Sequence, residues 1–267
     1  MLLALALAFS GLTFAADFDH SHIQWHELVQ EHVVWVRGGV ASEVDYASFK
    51  EDRSRLKTYL DDLSDVSESQ YQGWSGDEKL AFLINAYNAF TVELILTEYP
   101  DLDSIKDLGG FLSSPWSKAF FSLRGAERTL DEVEHEMIRV EFQEPRIHMA
   151  VNCASVGCPA LATTAYVPDQ LDGQLTTAEH RFMADKTRNR YNSAEKTFEV
   201  SPIFNWYGED WNAESGYPEG IRGFFMSHLE RLSTGAVPQR FLVIGADIEF
   251  LDYDWALNDL SNSTDSN

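Results

Sequence analysis

The sequence predicts an α+β fold: a single compact domain, mostly helical around a buried central helix, with a small, largely antiparallel sheet. Three observations predict it. Residues 77–98 form a helical stretch that is apolar nearly all round, as only a central helix is. The strand-like segments are short and dispersed, with no regular strand–helix alternation of the kind a doubly wound sheet needs. In 267 residues, 44% are hydrophobic and 13% aromatic, enough for a sizeable core, and no Pro-, Gly- or Ser-rich linker divides the chain.

The elements follow in order. Phe49, Leu56, Leu60 and Leu63 recur at helical spacing, giving an amphipathic helix over 48–63. Ser75-Gly76-Asp77-Glu78 is a capping box that opens the central helix, and Pro100 closes it. Thr129-Leu130-Asp131-Glu132 is a second capping box; the helix after it, 130–142, carries Leu130, Val133, Met137 and Ile138 on one stripe, and Pro145 stops it. Ile147, Met149 and Val151 alternate with Arg146, His148, Ala150 and Asn152, which predicts a strand. Leu171, Leu175, Ala178 and Phe182 mark a helix, and Thr197 to Val200 a short strand. Ser201-Pro202 caps a helix through Trp211, and Ile221, Phe224, Phe225, Leu229 and Leu232 mark the next. Phe241–Ile244 and Ile248–Tyr253, around Gly245-Ala246-Asp247, read as a hairpin. Residues 17–260 are thus one domain, and 261–267 a polar, frayed tail.

Charge narrows the partners. Forty-three acidic against 20 basic residues leave −23, the wrong sign for nucleic acid or an anionic membrane surface. The uncharged run from Leu2 to Phe14, with Thr13 and Ala15 before Asp17, reads as a signal peptide over 1–16, although no Lys or Arg precedes it. The protein is therefore expected to be exported, periplasmic or extracellular. No membrane span is expected after residue 16, because no apolar run approaches the roughly 20 residues a bilayer needs. There is no phosphate loop, no G-x-G-x-x-G and no G-x-S-x-G, and no cofactor is expected.

The most unusual stretch is Arg146 to Pro159, which holds both cysteines, Cys153 and Cys158. Besides a redox dithiol, whose usual Cys-x-x-Cys spacing is not the Cys-x-x-x-x-Cys found here, three chemistries fit them. One is a small disulfide loop, natural in an exported protein. Another is a nucleophilic Cys153, activated by a neighbouring imidazole, with backbone amides of the 153–157 loop holding an oxyanion. The last is ligation of a metal by the thiolates with His135 or His148, although the spacing matches no standard zinc finger and no metal is expected. Glu134 falls on the apolar stripe of its helix and must be paired, with Arg146 or Arg139, or serve with His135 as a base or orienting group. Asn85 and Asn88 lie three apart on the apolar helix, as clamps on a loop or as groups that position a substrate. His20, His22, His26 and His32 read as solvated helix residues, and His228 as core.

These motifs together resemble the family known as domain of unknown function 547. The matching pieces are Gly39-Val40 with Val44-Asp45-Tyr46; Ala81 through Val92 with Asn85, Tyr87 and Asn88; Leu130-Asp131-Glu132-Val133-Glu134-His135 with Ile138-Arg139; Pro145 through His148, Asn152-Cys153 and Cys158-Pro159; Ser201, Ile203-Phe204, Trp206-Tyr207 and Asp210-Trp211; and Tyr253 through Asn258. Leu83 stands where the family tends to have Trp, and Ala256 where Ser is usual. The resemblance implies one domain with no inserted module and marks Asn85, Asn88, Glu134, His135, Arg146, His148, Asn152, Cys153 and Cys158 as signature polar residues. It implies no reaction.

The leading expectation is an exported cysteine-type hydrolase or acyl-transfer enzyme acting on amide or thioester bonds. Cys153 is its nucleophile, His148 or His135 the base and Glu134 the orienting group. Asn85 or Asn152 polarises the carbonyl, and Asn88, Arg146 and Cys158 support binding. The alternative is a non-catalytic binding protein with a structural Cys153–Cys158 disulfide. Either way the partner is a small molecule or peptide.

Overall fold

The computed structural model describes residues 17–110 and 113–264. The expected signal peptide, 1–16, lies outside the described residues. The fold is α+β, as expected. The helix Gly76–Leu96 runs through the centre, and residues from Leu80 to Leu96 are buried on all sides save Glu93. Both halves of its capping box form: Ser75 accepts the amide of Glu78, and Glu78 accepts the amide of Ser75 at 2.7 Å. This helix is long and apolar enough to cross a membrane, contrary to the expectation that no such run exists, but 89% of its apolar window is buried inside the protein. It is a core helix because other elements, not lipid, cover it.

Two clusters of buried side chains form the interior. The larger surrounds the central helix and takes in Trp25, Phe49, Leu130 and Ile147. The smaller lies under a three-stranded sheet and centres on Phe182, Phe198, Phe204, Trp211, Phe224 and Phe225. In that sheet, Arg190–Asn192 pairs antiparallel with Thr197–Val200, which pairs parallel with Asp247–Phe250, Phe198 opposite Ile248. Among the described residues the other paired strands are two antiparallel hairpins, Val33–Val36 with Ala41–Val44 and Phe121–Leu123 with Ala126–Arg128. The second turns through Arg124 and Gly125, both at positive φ.

Several elements differ from expectation. Pro145–Met149 is a 3-10 turn, not a strand: Pro145 supplies its first residue, the Glu144 carboxylate caps it, and Ile147, His148 and Met149 are all buried, so the alternation carried no polar face. The expected 241–253 hairpin does not form. Arg240–Leu242 is a 3-10 turn, and Asp247–Phe250 finds its partner fifty residues upstream. The helix expected over 48–63 breaks at Asp52 into Tyr46–Glu51 and Arg53–Ser64. The helix expected to reach Trp211 is the short Ile203–Trp206, followed by a 3-10 turn. The tail begins as a further helix, Leu260–Thr264.

One departure shapes the site. The helix after Thr129 keeps its capping box but widens to π geometry over Glu132–Ile138, where the Arg139 amide reaches the Glu134 carbonyl. Such widened turns recur at functional sites.

Candidate functional site

A cleft of about 250 Å³ opens where the two cores meet. Tyr87 and Val151 reach it from the larger core, and Ile203 and Tyr207 from the smaller. Its walls are aromatic: Tyr87, Trp116, Trp206, Tyr207, Tyr253 and Trp255. Trp255 is the hub, 4.4 Å from Tyr253 and 5.8 Å from both Trp116 and Trp206, centroid to centroid. Cys153, Cys158, Glu134, His135, His148 and Asp131 complete the lining.

The polar floor is built on His148. Its Nε2 lies 2.7 Å from Asp210 Oδ2, and its ring stacks on Tyr207 at 4.1 Å. Because a carboxylate only accepts, Nε2 carries the proton, and in the neutral ring Nδ1 keeps its lone pair. Nδ1 is buried, has no hydrogen-bond partner among the described residues and faces Glu134 Oε1 at 3.8 Å. Arg139 clasps Asp210 through two bonds, Nε to Oδ2 at 2.7 Å and Nη2 to Oδ1 at 2.8 Å. Burial pushes the Asp210 carboxyl up, but the hydrogen bonds from His148 and Arg139 outweigh it and hold it well below the usual carboxylate range.

Glu134 meets no arginine. Its neighbours are His148 Nδ1, at 3.8 Å, and two phenols: burial, and then the Glu134 carboxylate that accepts their hydrogen bonds, push the hydroxyls of Tyr87 and Tyr207 far up. Arg146 is spent elsewhere, binding Glu144, Asp172 and Thr176, and does not line the cleft. His135, half-buried at the rim, sits 3.2 Å from Arg139 Nη1 and 4.0 Å from Asp131. Burial, and then the charge of Glu134, raise the Asp131 carboxyl.

The two sulfurs form a disulfide. That corrects the nucleophile expectation, since a bridged sulfur offers no thiolate to a carbonyl or to a metal. The polar group beside the sulfurs is not an imidazole. The Tyr253 hydroxyl lies 3.2 Å from Cys153 Sγ and 3.1 Å from Cys158 Sγ. Four of the five expected oxyanion amides are committed too. Cys153 N–H donates to Cys158 Sγ, Ala154 N–H to Asn152 Oδ1, Val156 N–H to Ala256 O and Gly157 N–H to Asp254 O. The C-terminal strap Tyr253–Asn258 thus lies across the cysteine loop.

The asparagines expected to touch substrate are clamps. Asn85 exchanges two bonds with the Tyr166 backbone, donating to its carbonyl at 2.7 Å and accepting its amide at 3.0 Å. Asn88 accepts the Asn152 amide at 2.8 Å and donates to Ala150 O. Asn152 donates to Pro159 O and accepts from Ala154, which holds Ala154 at a φ of 62°. None of the three lines the cleft.

With this geometry in hand, residues 71–183 match the family described as "Protein of unknown function, DUF547". This match supports the resemblance to that family. The DUF547 match covers Tyr87, Asp131, Glu134, His135, His148 and both cysteines, but stops short of Tyr207, Asp210, Tyr253 and Trp255, so it is narrower than the motif resemblance. No curated protein and no solved structure matches the chain.

Sequence reasoning missed Asp210 and the aromatic walls. Tyr87, Trp206, Tyr207, Asp210, Tyr253 and Trp255 all stand in the motifs that carried the DUF547 resemblance, and that was their signal; Trp116 had none. A larger cleft of about 730 Å³, between Trp35, Tyr166 and Arg181, holds no imidazole, and its carboxylates, Asp77, Asp169 and Asp172, are all exposed. The smaller cleft is the better candidate because the buried ionisable groups converge there. Carboxylate–imidazole clusters away from it are Glu179, His180 and His228, with His228 Nε2 3.1 Å from Glu179, and Glu31, His32 and Asp52. His22 and His32, both expected in solvent, are buried, His22 against the Tyr59 hydroxyl and His32 against Asp52.

Proposed function

We propose that this is an exported protein that binds a small organic ligand in the aromatic cleft, with the Cys153–Cys158 disulfide as a rigid part of its wall. The observation that carries the reading is the convergence of aromatic side chains on a buried imidazole whose Nδ1 has no hydrogen-bond partner among the described residues, its nearest carboxylate oxygen, Glu134 Oε1, lying 3.8 Å away. Buried polar atoms are normally satisfied. One left open at the base of a cleft is available to a ligand. Export supports the disulfide, since an oxidising compartment keeps it formed.

The cysteine-hydrolase reading would need the bridge reduced and an imidazole beside the sulfur, a place that Tyr253 holds. Binding is therefore the better-supported function. A fragment screen followed by NMR tests it, using the indole N–H signals of Trp116, Trp206 and Trp255 as reporters. Hits that shift these signals selectively are expected. A screen in which no fragment moves them would overturn the reading. Fusion of residues 1–16 to a periplasmic reporter tests export, and retention of the reporter in the cytoplasm would overturn it.

A further inference from the structure

The cleft's charged lining is acidic. Glu134 and Asp131 line it, and among the described residues no lysine or arginine does. Glu134 is buried, shared between the Tyr87 and Tyr207 hydroxyls and 3.8 Å from His148 Nδ1. Its lone pairs are partly occupied, so it offers a ligand negative charge more readily than a hydrogen-bond acceptor. The rings above it already attract cations from outside the cleft. Lys106 Nζ sits 3.6 Å from the Trp255 ring centroid, and the Arg139 guanidinium 5.2 Å from that of Tyr207.

Taken with a chain charge of −23, the geometry points to a small organic cation, specifically a quaternary ammonium group, as the ligand of this cleft, held by the faces of Trp116, Trp206, Tyr253 and Trp255 with Glu134 as its counter-charge. The inference rests on the cleft being a ligand site. Aromatic faces attract such a cation through the ring quadrupole, most strongly for Trp. A quaternary ammonium has no N–H to satisfy, so a carboxylate whose lone pairs are engaged suits it better than it suits a primary amine or a guanidinium, which must be hydrogen-bonded when desolvated. An anion would meet both carboxylates. The volume of about 250 Å³ fits a head-group-sized ligand, below the usual drug-sized range. The acidic surface would steer a cation inward, an effect that salt screens.

Titration of the full exported chain with choline and with 3,3-dimethylbutan-1-ol, its neutral isostere, tests the inference by tryptophan fluorescence and calorimetry. Choline is expected to bind roughly ten-fold more tightly than the alcohol, in line with a desolvated cation–π contact plus counter-charge. Glu134→Gln should erase most of that preference, and Trp206→Ala, at a partly exposed ring, should weaken choline while leaving the fold intact. Should Glu134→Gln fail to fold, Asp131→Asn at a half-buried position is expected to reduce the preference in the same direction. Equal affinity for choline and the alcohol would overturn the cation inference and leave the cleft as a ligand site. Binding of neither, while neutral fragments still shift the cleft indoles, would do the same. Silence from all of them would overturn the binding reading itself.

Discussion

Asp210 holds His148 by a single 2.7 Å contact between Oδ2 and Nε2, and that contact decides which ring nitrogen faces the cleft. Arg139 in turn fixes Asp210. Asp210→Asn removes the charge that both partners need, and is expected to cost about 2 kcal/mol near pH 7, as for hydrogen bonds to a charged group. The folded carboxyl titrates below its unfolded value, so its contribution is present above the ordinary carboxylate range and is lost as pH falls from about 4 toward the lower folded value. The stability gap between wild type and variant, measured by urea unfolding, should therefore close in acid. A gap that stays constant from pH 7 to pH 2 would contradict it.

His22 predicts an earlier acid response. Burial, mainly, and then the nearby His20 lower its pKa to about 3, against roughly 6.5 in an unfolded chain. Below the unfolded value the denatured state takes up a proton that the folded state refuses, so stability falls as pH drops from 6.5 toward 3. His22→Asn should flatten urea-derived stability over that window and leave the slope below pH 3 unchanged. An unaltered slope between pH 6.5 and 3 would mean that His22 is not the group responsible.

The central helix was legible because every turn of it is apolar and its cap is written in four consecutive residues, Ser75 to Glu78. Thr197–Val200 was legible because its β-branched and aromatic residues stand between turn signals. The stretch 145–149 was not, because a short run buried on all sides has no polar face to set a period. Asp247–Phe250 was assigned to a hairpin because sequence favours near neighbours, whereas its partner Val200 lies across a helical crossover. Within the site, Glu134 and His148 stood out as polar residues in apolar settings. Asp210 did not, since its place in the Asp210-Trp211 motif does not name the histidine 62 positions upstream. The aromatic walls escaped for the same reason: Trp116 carried no signal, and the motifs that hold Trp206 and Trp255 do not say which rings the fold brings together.

Asn88 makes the cysteine loop depend on the central helix. Asn88→Ala leaves the buried Asn152 amide and Ala150 carbonyl without their partner, and is expected to cost about 2–4 kcal/mol, since each unsatisfied buried group costs about 1–3. Asn85→Ala should cost a similar amount through Tyr166. The two differ in their reach. Asn88→Ala should also shift the indole signals of the cleft, because residues 150–152 lead into Cys153, whereas Asn85→Ala acts beside the larger cleft and should leave them in place. Chemical denaturation with NMR of both variants separates the cases.

Gly157 sits where a side chain cannot. A Cβ there would come within 2.9 Å of the Asp254 carbonyl and of the Tyr253 ring. Gly157→Ala is therefore expected to cost about 1–3 kcal/mol, as overpacking does, and to push Tyr253 away from the sulfurs. Weaker binding of cleft ligands together with a lowered Tm is the expected outcome. A lowered Tm with unchanged binding would show that Tyr253 does not shape the cleft.

The disulfide separates the binding reading from its rival. Native protein from an oxidising compartment should have an intact mass two hydrogens below the reduced chain, and no thiol should titrate, with or without denaturant, until the bridge is reduced. Closing so short a loop restricts the unfolded chain little, so replacing both residues, Cys153→Ala with Cys158→Ala, is expected to cost about 2 kcal/mol by loop-closure entropy. The variant should fold, because the strap from Tyr253 to Asn258 still pins the loop through the Val156, Gly157 and Asn258 amides. A binding protein keeps measurable affinity for its cleft ligands in that variant, reduced only as far as the Tyr253 hydroxyl loses its sulfur contacts. A cysteine enzyme would behave in the opposite way. Its native form would show two free thiols, one reacting fast near neutral pH, and the substitution would abolish turnover without a matching loss of ligand affinity. Thiol titration and a binding curve on the same preparation therefore decide between the two.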